Sequence, residues 1–376
     1  MRTCARLGLL GLAVGVWLVA ANAQPAAAQQ VIATVAVGDD PWGVAVNSNT
    51  NRIYVANGGV SNTVSVIDGA SNTVAATVPS GAGPMHLEVN PATNRIYVAN
   101  HGGDDVTVIN GADSSVITTV AVGDGPQGVG VNPNTNLIYV ANTDSDNVSV
   151  INGANNSVIT AVAVGDYPAD VGVNPNTNRI YVANSDSNTV TVVNGGDNSI
   201  ATNITVGNHP FGVGVNPTTN RIYVSNDGDN TVSVINGATN AVVGIVVVGI
   251  GPRDIGVNPN TNRIYVANSS SNTVSIINGA TNTVVGTVGV GSHPIGIGVN
   301  PNRVYAANYE SNNVSVIYDP PPVGGVIEPP DLSALPLETA ESGQQDYTPY
   351  IGGAAAAAAL LAVALAGWYV RRRRRS

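Results

Sequence analysis

Between Val31 and Tyr318 the chain runs in short segments with an apolar residue at every second place, separated by clusters of Asn, Gly, Pro, Ser and Asp. A period of two predicts β-strands, and no stretch of this region carries the 3.6-residue period of a helix. The segments recur as a unit. The motif Asn-Arg-Ile-Tyr-Val-Ala-Asn returns with its tyrosine at Tyr54, Tyr97, Tyr139, Tyr181, Tyr223, Tyr265 and Tyr305, in steps of 43, 42, 42, 42, 42 and 40 residues. A proline marks the same seven units at Pro41, Pro84, Pro126, Pro168, Pro210, Pro252 and Pro294. Periods near 40 residues belong to propellers or helical arrays, and the missing helical period excludes the arrays.

Each unit reads as four strands, A to D. In the third, these are Gly128–Asn132, Leu137–Asn142 and Asn147–Asn152, preceded by a D strand over Val116–Val122. The A–B turn is Asn-Pro-x-Thr-Asn and the C–D turn opens with Asn-Gly-Ala, residues that accept positive φ in tight turns. Short turns join antiparallel neighbours, which favours a propeller blade over a parallel β-helix. The seventh unit ends after its third strand, at Val314 to Tyr318. Its missing fourth strand lies at the other end, where Val31–Gly38 matches Val116–Gly123 in pattern. The expected fold is therefore all-β: a seven-bladed β-propeller over residues 31–318, zipped shut by its own first strand.

Composition fits this fold, with 43 Gly, 22 Pro, 10% charged residues and 43% hydrophobic ones. Cys4 is the single cysteine, which removes disulfides, Cys-ligated zinc and a thiol nucleophile. The propeller region holds 18 acidic residues against 7 arginines, a net of −11 that disfavours nucleic acid as a partner. Residues 1–23 read as a signal peptide: Arg2 and Arg6, an apolar run from Leu7, and Ala21-Asn22-Ala23, with Ala28 marking a second cleavage position. Residues 351–370 form an uncharged span long enough for a transmembrane helix, and Arg371 to Arg375 place residues 371–376 in the cytoplasm. A Pro- and acid-rich stalk over 319–350 joins span and propeller. The expected location is extracytoplasmic, at the cell surface, anchored in the plasma membrane. Leu335 to Thr339 only loosely matches a sorting-enzyme signal.

The repeats resemble the YVTN family of β-propellers, through Tyr54-Val55-Ala56-Asn57 and its copies, over most of the chain. The resemblance implies a secreted or surface-layer propeller and no single chemistry.

Comparison of the seven units locates the irregular positions. A–B and C–D turns are nearly uniform, whereas the D–A loops vary. After the marker proline stand Trp42, Met85, Gln127, Ala169, Phe211, Arg253 and Ile295; before it stand Asp40, Gly83, Gly125, Tyr167, His209, Gly251 and His293. Two places after it, His86, Asp170 and Asp254 replace the usual glycine. All four histidines, His101 included, fall in D–A or B–C loops and thus on one face. The expectation is a non-enzymatic module binding an extracellular protein or polysaccharide through this face. Its candidate residues are Trp42, His86, Tyr167, Asp170, His209, Phe211, Arg253, Asp254 and His293. The alternatives are a lactonase-like hydrolase at the channel mouth, since some seven-bladed relatives are enzymes, and a self-associating surface-layer component. No cofactor motif is present. Calcium is the one ion the acidic B–C loops suggest, at Asp144 and Asp146 or Asp229, although hairpin capping by Asx turns accounts for them better. The repeated tyrosines and Arg52, Arg95, Arg179, Arg221, Arg263 and Arg303 read as framework.

Overall fold

In the computed structural model, residues 29–321 are described, and they form seven four-stranded antiparallel sheets. Six sheets follow chain order, strand A innermost. The first spans Pro41–Asn47, Arg52–Asn57, Thr63–Asp68 and Thr73–Pro79, and the third begins at Pro126, two residues before the expected Gly128. Each A strand starts at its marker proline, whose missing N–H costs nothing at a strand start. The seventh sheet is completed across the termini. Val31–Ala36 pairs antiparallel with Asn313–Tyr318, with Val35 opposite Val314. The ring is closed as its sequence requires.

The core lies between blades. One cluster joins Val64, Val66 and Val78 of blade 1 to Leu87, Val89 and Ile96 of blade 2; six similar clusters fill the other junctions. All seven motif tyrosines are fully buried in them. The asparagine closing each motif has a separate duty: Asn142 donates to Asn147 Oδ1 and Ser149 Oγ, at 2.7 and 2.9 Å, tying strand B to strand C.

A second asparagine links neighbours. At the end of strand A, Asn47 donates to Asn94 Oδ1 of the next blade at 2.7 Å, and the bond repeats at Asn90–Asn136, Asn132–Asn178, Asn174–Asn220, Asn216–Asn262 and Asn300–Asn51. Blade 7 has a turn two residues shorter, and Asn258 donates to the Pro301 carbonyl at 3.1 Å and not to the side chain of Asn302. Asp319 takes that side chain's place. It accepts from Asn258 at 2.7 Å and from Arg263 at 2.5 Å, with no exposed surface. The stalk expected from 319 therefore begins after a residue that is part of the ring.

The expected signal peptide (1–23), the stalk from residue 322 onward, the span (351–370) and the tail lie outside the described residues. Among the described residues no helix is long and apolar enough to cross a membrane.

Candidate functional site

Strand A alternates glycine with valine or isoleucine because seven strands crowd around the axis. A Cβ at Gly212 would sit 2.6 Å from the Arg253 carbonyl oxygen and 2.8 Å from Asp254 Cα. Side chains at this level can therefore stand on alternate blades only. They do: His86, Asp170 and Asp254 come from blades 2, 4 and 6, with glycine at Gly43, Gly128, Gly212 and Gly296 between them. One level further along the strand, Gly130, Gly172, Gly214, Gly256 and Gly298 leave room for the next blade's valine or isoleucine, blade 1 has Ala45, and blade 2 has Glu88.

Four ionisable groups thus meet in one channel. His86 lies within strand A of blade 2 (Pro84–Asn90), not in a loop, and reaches across the axis to place Nε2 3.9 Å from Asp254 Oδ2. Asp254 is further held by the amides of Ile255 at 2.6 Å and Ile297 at 2.7 Å. Asp170 accepts from the Val213 amide at 2.8 Å, while its other oxygen and His86 Nδ1 are buried without a partner. Glu88 accepts from the Val89 amide at 2.9 Å.

The electrostatics follow from burial and crowding. Burial alone would lower the His86 pKa, but the facing Asp254 carboxylate at 3.9 Å and the charges of Asp170 and Glu88 outweigh it and raise it to about 9. Burial pushes Glu88 up to about 7 and Asp170 up to about 6, each against the pull of the His86 cation. Such mutually perturbed groups at a cavity wall mark a functional-site candidate.

The cavity does not open where the sequence suggests. A volume of about 380 Å³ runs from the His86, Asp170 and Asp254 level past Glu88 to Pro91, Pro133, Pro175 and Pro217, which lie at the A–B turns. On the D–A side the same three residues are covered by Trp42, Gln127, Ala169, Phe211 and Ile295, leaving about 10 Å³, room for one water. The polar cluster is the floor of a cup that faces the uniform turns.

Of the remaining candidates, Trp42 and Phe211 cover the cluster and the others stand on the rim or outside it. Phe211 carries the Arg253 guanidinium 4.7 Å above its ring, and Arg253 pairs with Asp227 at 3.5 Å on the rim. His209 stands outside, 3.9 Å from Asp186, both mostly exposed. Tyr167 is 38% exposed and away from the channel. Trp42 and His293 flank Tyr309, which sequence reasoning did not single out. The position before the marker proline is a left-handed slot in every blade, from φ 49° at His209 to 68° at Gly251. Asp, His and Gly tolerate that region best, so backbone conformation explains most of this column's variation; Tyr167, at φ 53°, is the exception. In the B–C turns, Asp104 and Asp146 accept the amides of Gly125 and Tyr167, both at 2.9 Å, and Asp229 accepts that of Asn208 at 2.8 Å. Among the described residues no three His, Cys, Asp or Glu side chains form a metal-holding group.

Glu88 is the functional candidate that the sequence reading missed. Its signal was present, because it breaks the second glycine column just as His86 breaks the first.

Residues 15–122, which include His86 and Glu88, match the family described as Lactonase, 7-bladed beta-propeller. The chain is a seven-bladed β-propeller. A solved structure of Kuenenia stuttgartiensis hydrazine synthase is similar over 74% of this chain and 95% of that chain, with 19% identity and a TM-score of 0.67, a likeness of fold. A search of curated proteins finds no match.

Proposed function

We propose that the channel is an acid–base site that opens small, uncharged cyclic esters, a lactone-class hydrolysis. The convergence of His86, Glu88, Asp170 and Asp254 on one 380 Å³ cavity carries this reading, and the partial lactonase match supports it. Ionised Glu88 takes a proton from water as the water oxygen attacks the carbonyl carbon. The His86 imidazolium faces the developing oxyanion and gives its proton to the ring oxygen as the acyl C–O bond breaks. The products sum to one hydroxy acid, and transfer of the proton from Glu88 back to His86 resets the site. Asp254 and Asp170 keep His86 protonated. Three carboxylates face one imidazolium, and no Arg or Lys lines the cavity. That balance favours a neutral lactone over a phosphorylated one and repels the carboxylate product.

The test is a pH-stat assay of the full chain on δ-valerolactone. Turnover should rise through about pH 7 as Glu88 ionises and fall through about pH 9 as His86 loses its proton. Glu88→Gln should cost about 10²–10⁴-fold. Absence of turnover above the spontaneous rate, or full activity in Glu88→Gln, refutes the reading.

A second reading, a membrane-anchored surface module that binds protein or polysaccharide through the D–A rim, is favoured by the aromatic residues gathered there around Tyr309. Residues 1–23 and 351–370, acting as leader and anchor, would display that rim outside the cell.

A further inference from the structure

A strand start, a D–A loop and a B–C turn meet on the D–A rim where the ring closes. Trp42 follows the marker proline of blade 1, His293 precedes that of blade 7, and Tyr309 opens the B–C turn of blade 7. Trp42 is the only tryptophan among the described residues. Its ring meets Tyr309 edge-on, with centroids 5.7 Å apart at 88°, and His293 lies 5.8 Å from Tyr309 at 58°. All three are half-buried, so they form a bent aromatic surface and not a core. Asp40 and Glu310 border it. Burial, then the charge and hydrogen bond of Asp40 and the charge of Glu310, hold the Tyr309 phenol above its ordinary pKa and so keep it a donor.

Junction packing does not call for these rings. The other six B–C turns open with Gly58, His101, Thr143, Ser185, Asp227 and Ser269, and those junctions close without an aromatic pair. At this seam the closure is carried by Val31–Ala36 on Asn313–Tyr318 and by the buried Val35, Val44, Tyr305 and Val314.

We infer that the surface formed by Trp42, Tyr309 and His293, bordered by Asp40 and Glu310, is a carbohydrate-binding site that takes a neutral hexopyranose unit. A pyranose has an apolar C–H face that covers an aromatic ring and a periphery of hydroxyls that donate to carboxylates. Two carboxylates without a neighbouring Arg repel uronate or phosphorylated glycans. The assignment rests on the second, rim-binding reading and shares only Trp42 with the cover of the channel cluster.

The test is titration calorimetry of the full chain with cellohexaose and with mannohexaose, followed by thermal melts of the variants. At least one hexasaccharide should bind. Trp42→Ala and Tyr309→Ala should each weaken it about tenfold or more, Trp42→Phe should retain most of the affinity, and Glu88→Gln should bind as the parent does. If Trp42→Ala lowers the melting temperature, Glu310→Gln, which removes a rim carboxylate and no packed ring, must still weaken binding. Failure of both sugars to bind the parent chain, or undiminished binding by folded Trp42→Ala and Tyr309→Ala, overturns the assignment.

Discussion

At the A–B rim of the channel the blades present one asparagine-linked turn after another, whereas at the D–A rim Trp42, Met85, Gln127, Ala169, Phe211, Arg253 and Ile295 occupy a single repeat position. The expectation would put the opening at the varied end. The structure puts it at the uniform one, and gives the varied end a plug of large side chains with space for one water. Variation on a repeat therefore has two meanings. Bulky, mixed residues after the proline close a hole that small residues would leave open, while ionisable residues two positions later equip the chamber behind them.

The sharpest way to break this comparison is to disturb the alternation that separates plug from chamber. Gly212→Ala should cost about 3 kcal/mol in urea unfolding, because its methyl has only backbone to push against. Asp170→Gly, the mirror change on blade 4, should cost less, since it removes one accepted amide bond and adds no atom. Equal losses would show that the glycine column is not a steric rule.

A smaller effect concerns the cluster itself. His86 has its folded pKa raised from 6.5 to about 9, so its contribution to stability is complete below about pH 6.5 and is lost as pH rises through 9. Glu88 and Asp170, also raised, act in the same direction, their protonated forms losing out by about pH 7 and 6. Stability should fall steadily as pH rises from 6 to 9, chiefly through His86. In Asp254→Asn, which lacks the partner of His86, denaturation midpoints across that range should flatten. A parent midpoint that rises toward pH 9 contradicts the assigned proton on His86.

The smallest effect belongs to the uniform rim. Asn216→Ala removes one bond of the inter-blade ring and the two turn amides, of Thr218 and Thr219, that its Oδ1 accepts, and should cost about 1–2 kcal/mol. Asn258→Ala should cost more, because it also strips a donor from the buried Asp319 carboxylate. Comparable midpoints for the two variants would mean that Asp319 is held by Arg263 alone.

Much of the candidate site was legible, unevenly. His86, Asp170 and Asp254 stand out because glycine is expected at their places, and a departure from glycine on the innermost strand must be accommodated by neighbours. Glu88 carries the same signature one level deeper. His209 and Tyr167 drew attention by varying among units, but their column is a positive-φ slot, so their variation follows backbone tolerance. Nothing in the spacing of His86 and Asp254 reveals that they face each other at 3.9 Å, since 168 positions separate them and only the closed ring brings blades 2 and 6 together.

What the amino-acid order settled alone was everything enforced locally: strands of period two, turns set by Asn, Gly and Pro, seven units, and a first segment with no partner except the last blade. These are nearest-neighbour properties, and each unit carries them in full. The direction in which the cup opens, the residue that replaces the missing turn of blade 7 and the protons held at the axis were decided by the assembled ring. They depend on side chains from distant blades competing for a space that exists only once seven sheets converge.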